Sequence, residues 1–164
     1  MNTITYPSIF PGDLRILIVR PNGGLEVRDH EPGDDRSMKR MAWLFGGRVQ
    51  PIDRKADPVI WVRIDGGMLT VDEIVERGLI DEEGGTADEN LNALRFARNI
   101  GAIDPSGVWL CHPVVITGPI VNGEYTSVSD DVLRTFNVNY GMDFVVTTRE
   151  INAHNAAVLA RQVK

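Results

Sequence analysis

The dipeptide Asn-Gly occurs at Asn22-Gly23 and again at Asn122-Gly123, each time behind a short apolar run. Asn and Gly accept positive φ at little steric cost, so this pair marks a tight reversal between antiparallel strands. Glycine pairs at Gly23-Gly24, Gly46-Gly47, Gly66-Gly67 and Gly84-Gly85 add further turn punctuation. A chain that doubles back this often has little room for strand–helix–strand crossovers. The pattern therefore predicts an α+β fold with an antiparallel or mixed sheet, not a parallel α/β one.

The strands follow from β-branched runs and alternation. Leu14 to Val19 and Leu25 to Arg28 form the first hairpin. Arg48 to Ile52 and Val59 to Ile64 read as two more strands. Val108 to Thr117 is the most apolar stretch, with Val114 to Thr117 as a core strand. Tyr125 to Val128 returns after the second Asn-Gly, and Met142 to Thr147 is a last extended segment. That makes six or seven short strands.

Three to five helices are expected. Asp34 and Asp35 open one that carries Met38, Met41, Ala42 and Phe45 and stops at Gly46-Gly47. Val71 to Leu79 predicts a short helix with Ile74 and Val75 inward. Thr86 to Glu89 fits a capping box, leading into a helix with Leu91, Leu94, Ala97 and Arg98 on one face and a stop at Gly101. Ser129-Asp130-Asp131 starts another, through Phe136. Thr147 to Glu150 offers a further capping box before a stripe of Ala153, Ala156, Ala157 and Ala160. That stripe packs on the sheet or pairs with a second copy or a partner.

The chain has 164 residues, which suits one domain. We read residues 1–13 as an N-terminal arm, 14–136 as the core, and 137–164 as a C-terminal strand and Ala-rich helix packed on it. Cys111 is the single cysteine, so no internal disulfide can form. There is no basic start followed by an apolar run, and no apolar run approaching 18 residues. The expectation is a cytoplasmic protein without a membrane segment.

The net charge of −6 argues against direct nucleic-acid binding, which needs clustered Lys and Arg. The charge is also local. Asp72, Glu73, Glu76, Asp81, Glu82, Glu83, Asp88 and Glu89 face only Arg77 within residues 72–89, a formal −7. The rest of the chain therefore sums to +1. A run of one sign is either a solvated face or a docking surface for a basic partner. It lacks the spaced loop of a calcium hand, and the one Cys and three scattered His lack zinc spacing.

Two other constellations bear on chemistry. Cys111-His112 suggests a nucleophile and base, but neighbours on a strand point to opposite faces. A Cys nucleophile would then need His30 or His154. The plainer reading is a buried, inert thiol. No glycine pair has phosphate-loop or dinucleotide spacing. However, Arg48 behind Gly46-Gly47 and Arg63 ahead of Gly66-Gly67 would meet a phosphate if the two turns come together. Trp43, Trp61 and Trp109 read as core or half-buried. No catalytic set and no cofactor motif is complete.

Six segments follow one another in a set order: Leu17 to Gly23, Leu44 to Gly47, Val71-Asp72-Glu73, Asn90 with Asn92-Ala93, His112 to Gly118, and Ser129 to Leu133. In that order they resemble the DUF3846 proteins of bacteriophages and mobile elements. The resemblance rests on order and spacing over roughly residues 14 to 136. It implies a phage or mobile-element context, and the acidic segment read in that context gives the first expectation, an accessory protein that docks on a host bacterial protein. The alternatives are sequestration of a nucleotide-like molecule through Arg48 and Arg63, or an enzyme of unrecognised type.

Overall fold

A computed structural model describes residues 12–21, 23–30, 47–80, 89–103, 107–140 and 144–147. Residues 1–11 of the arm, the Met38–Phe45 helix, Trp43 and the Ala-rich helix lie outside the described residues, as do His154 and both capping boxes at Thr86 and Thr147 in whole or part.

The strands are β1 (Leu14–Val19), β2 (Leu25–His30), β3 (Val49–Pro51), β4 (Val59–Arg63), β5 (Met68–Thr70), β6 (Val108–Leu110), β7 (Val114–Thr117), β8 (Ile120–Val121), β9 (Glu124–Tyr125) and β10 (Phe144–Thr147). The helices are α1 (Val71–Glu76), α2 (Leu91–Asn99) and α3 (Asp130–Arg134), the last running into a π turn at Thr135–Asn139. The fold is α+β.

Six strands form one sheet in the order β10-β2-β1-β7-β4-β3. All pairings are antiparallel except β10 on β2, so the sheet is mixed. Both predicted reversals form. β1 and β2 pair from Leu14↔His30 to Val19↔Leu25, across a turn in which the Gly23 N–H donates to the Arg20 carbonyl. Asn122 and Gly123 both take positive φ, 52° and 79°, and join β8 to β9 directly. Two positive φ values in a two-residue loop match the twist of the flanking strands.

The sheet is apolar on both sides. One face carries Leu17, Val19, Leu25, Val27, Ile60, Val62, Val114 and Ile116. α2 covers it with Ala93, Leu94, Phe96 and Ala97, and α3 with Val132 and Leu133. The other face carries Leu14, Ile16, Ile18, Val49, Val59, Trp61 and Val115, and Tyr125 of β9 packs against it. This explains why β1 is an unbroken buried run without alternation. Within it sits Arg15, which pairs with its cross-strand neighbour Asp29 through two hydrogen bonds of 2.7 and 2.8 Å.

Two helix expectations need correction. α2 is capped by Asn90, whose side chain accepts from the Ala93 N–H, and Glu89 instead bridges Cys111 in extended backbone. The start is thereby set by the strand beside it. Leu91 accordingly turns outward, at 59% exposure, and Ala93 and Phe96 turn inward. On α1 only Ile74 is buried, and Val75 is 58% exposed. A helix of six residues reaches its neighbours with one side chain, and Val75 lies about 100° round from Ile74.

Candidate functional site

The acidic segment is divided between different jobs. Glu73 is engaged within α1: its carboxylate accepts from the Thr70 N–H and hydroxyl, while Thr70 Oγ1 accepts from the Glu73 N–H. This is a capping box that the Thr70-x-x-Glu73 spacing would have revealed. Asp72 and Glu76, one turn apart, are exposed. Beside them stand Val71, 49% exposed, and Val75. Glu89 is half-buried. Asp81, Glu82, Glu83 and Asp88 lie outside the described residues.

A different cluster forms at the end of the β3–β4 pair. Val49 pairs with Arg63, and the Ile64 N–H donates to the Arg48 carbonyl. This register brings the glycine turns together: a Cβ on Gly47 would lie 3.7 Å from Arg63 Nε. Arg48, Arg63, Gly47, Ile64 and Asp65 line a small pocket of about 140 Å³. Arg63 and Asp65 also line its neighbour, of about 210 Å³, together with Gly66, Leu69, Arg77, Leu79, Cys111 and His112.

The second turn is tight for a physical reason. The Gly67 N–H donates to the Arg63 carbonyl, and the Gly67 carbonyl accepts from the Cys111 N–H. A Cβ at Gly67 would fall 2.3 Å from the Arg63 carbonyl oxygen. Gly66 holds φ +82°, with the His112 ring 3.4 Å from where its Cβ would be. Gly67 has no room for a Cβ, and at Gly66 any side chain would hold strained left-handed backbone.

His112 corrects the opposite-faces expectation. The strand ends at Leu110, and His112 takes φ +64°, a left-handed backbone that costs a non-glycine residue about 1 kcal/mol or more. The chain is thereby turned so that Cys111 and His112 both line the larger pocket. Asn90, fully buried, holds this turn: its Nδ2 donates to the His112 carbonyl at 2.9 Å and to the Val19 carbonyl at 2.8 Å. Cys111 is 2% exposed and packs with Leu69 and Ile74. His30 is at the far end of β2, paired with Leu14.

The cleft is cationic. Arg48, Arg63 and Arg77 outnumber the one carboxylate in its lining, Asp65, and His112 stands beside them. Neither Arg48 nor Arg63 makes an ion pair among the described residues. Arg77 lies 3.5 Å from the exposed Asp65 and 4.0 Å from Glu73, long contacts that hold it weakly. Such a set can grip a phosphate or carboxylate through charge-assisted N–H bonds. The sequence pointed to Arg48 and Arg63; Arg77 and His112 were missed, because their approach depends on the turn at Gly66-Gly67.

No family model, curated protein or solved structure matches the chain. Among the described residues no helix is long and apolar enough to cross a membrane, and no group of three His, Cys, Asp or Glu could hold a metal ion.

Proposed function

We propose that this is a binding protein that sequesters a small anionic molecule, phosphate-bearing and nucleotide-like, in the arginine cleft. The observation that carries this reading is the convergence of Arg48, Arg63, Arg77 and His112 on adjoining pockets walled by glycine turns. The pockets are of a size for a phosphate and a small attached group, and smaller than most drug-sized sites. Leu69 and Leu79 supply an apolar wall for the rest of the ligand.

The test is thermal unfolding with a panel of nucleotides, sugar phosphates and inorganic phosphate. A ligand held only by the folded state stabilises it by RT ln(1 + [L]/Kd), about 2.7 kcal/mol at 100 Kd. The expected result is a rise in Tm with at least one compound, lost in Arg63→Ala because Arg63 borders both pockets. No rise across the panel, or a rise that survives Arg63→Ala, overturns the reading.

A second reading is favoured by α1. It presents Val71 and Val75 to solvent beside Asp72 and Glu76, an apolar stripe next to an acidic one. That face suits a basic host bacterial protein, in keeping with the phage-type resemblance. Capture from lysate at low salt, with loss at moderate salt and in Asp72→Lys/Glu76→Lys, supports it. Capture indifferent to both counts against it.

A further inference from the structure

α2 carries a second cationic surface, separate from the cleft. Arg95 and Arg98 are three residues apart and share a helix face. Each guanidinium is seated on an aromatic ring. Arg95 lies 5.2 Å from the Tyr140 centroid, and Arg98 lies 5.7 Å from the Trp109 centroid. The π turn after α3 delivers Tyr140, whose N–H donates to the Thr135 carbonyl and whose hydroxyl accepts from Asn99 Nδ2 at 2.8 Å.

The rings hold the cations in place without neutralising them. Among the described residues neither arginine makes an ion pair, and Arg98 Nε is buried with no acceptor. Like charges at this spacing cost the helix a few tenths of a kcal/mol. The two arginines line a groove of about 300 Å³, larger than either pocket of the cleft, together with exposed Leu91, buried Leu94 and Asn99.

What fits is a short apolar surface carrying two carboxylates. The chain has one: α1 shows Val71 and Val75 beside Asp72 and Glu76. Asp72 and Glu76 are about 6 Å apart along their helix, and Arg95 and Arg98 about 4.5 Å along theirs, a mismatch that long side chains absorb. Glu73 is held in its capping box and stays out of the contact. We propose that α1 of one copy docks in the α2 groove of a second copy, carboxylates on arginines and valines on Leu91. Copies related by a twofold axis would each offer α1 and receive the partner's, closing a dimer with two identical contacts.

The experiment is measurement of mass in solution by sedimentation, in an analytical ultracentrifuge over a concentration series, on wild type and two variants. One variant is Arg95→Glu/Arg98→Glu and the other is Asp72→Lys/Glu76→Lys. Each puts like charges across the contact and should weaken self-association about tenfold or more. Mixed in equal amounts, the two variants restore opposite charges at both contacts, and a mixed dimer should form. Recovery in the mixture also shows that both variants fold. Wild-type self-association should weaken in about 1 M salt, where the screening length is about 3 Å. A wild type that stays monomeric, a dimer indifferent to the substitutions, or no recovery on mixing each overturns the proposal. None of the four substituted residues lines the arginine cleft, so small-ligand binding is read independently in the same samples.

Discussion

Asn90 shows how one side chain can serve fold and site together. It caps α2 with its oxygen and ties β1 to the His112 turn with its nitrogen. Asn90→Asp keeps the acceptor that caps the helix and loses both donors. We therefore expect it to be at least as destabilising as Asn90→Ala, about 2–4 kcal/mol by urea unfolding, since two buried carbonyls lose their partner. A loss limited to the usual cap value of about 1 kcal/mol would show that water replaces those bonds. Arg15 and Asp29 form a buried ion pair that serves the fold alone, with side chains 5% and 2% exposed. Asp29→Ala removes the bidentate carboxylate from a buried guanidinium and should cost about 3 kcal/mol in the same assay. Glu26 gives a pH signature. Burial acts to raise its pKa, but hydrogen bonds and charge from Arg28 and Arg20 outweigh that and hold it below the usual 4.5. A lowered carboxylate pKa adds stability that is present above the unfolded value and disappears as pH falls through the folded one. Unfolding free energy followed from pH 7 down through the carboxylate range should therefore fall less steeply in Glu26→Gln.

At the scale of elements, short pieces depend on their ends. α1 has six residues and one buried side chain, so its capping box carries much of its local stability. Thr70→Ala should cost about 1 kcal/mol and speed amide exchange across residues 71–76. Unchanged exchange would place the stability of α1 in its packing on Leu69 and Cys111 instead. The edge strand β10 is the parallel member of the sheet and covers the open side of β2. Proline placed in turn at Val145 and Val146 removes one ladder donor in one of the two variants. Amides of β2 should then lose protection while those of β4 and β7 keep theirs. Equal loss everywhere would mean that the sheet opens as one unit.

For the whole molecule, legibility followed the range of the forces involved. Leu14 to Val19 and the Asn122-Gly123 turn were readable because β-branching and the tolerance for positive φ act within a few residues. Ser129 was readable as a cap for the same reason, and it accepts the Val132 N–H as expected. The face of α2 was not, since the bridge from Glu89 to Cys111 set its start four residues later than the Thr86 signal implied. His112 was misjudged because the rule of alternation holds only while a strand continues, and here β6 ends at Leu110. The sequence by itself determined the α+β class, the local reversals and the two arginines beside glycine turns. Only the tertiary structure decided that β7 lies between β1 and β4, that Arg77 and His112 join Arg48 and Arg63 around one cleft, and that Arg95 and Arg98 come to rest on Tyr140 and Trp109. The reason is that pairing between distant strands is set by burial summed over the whole core, which no local window of residues contains.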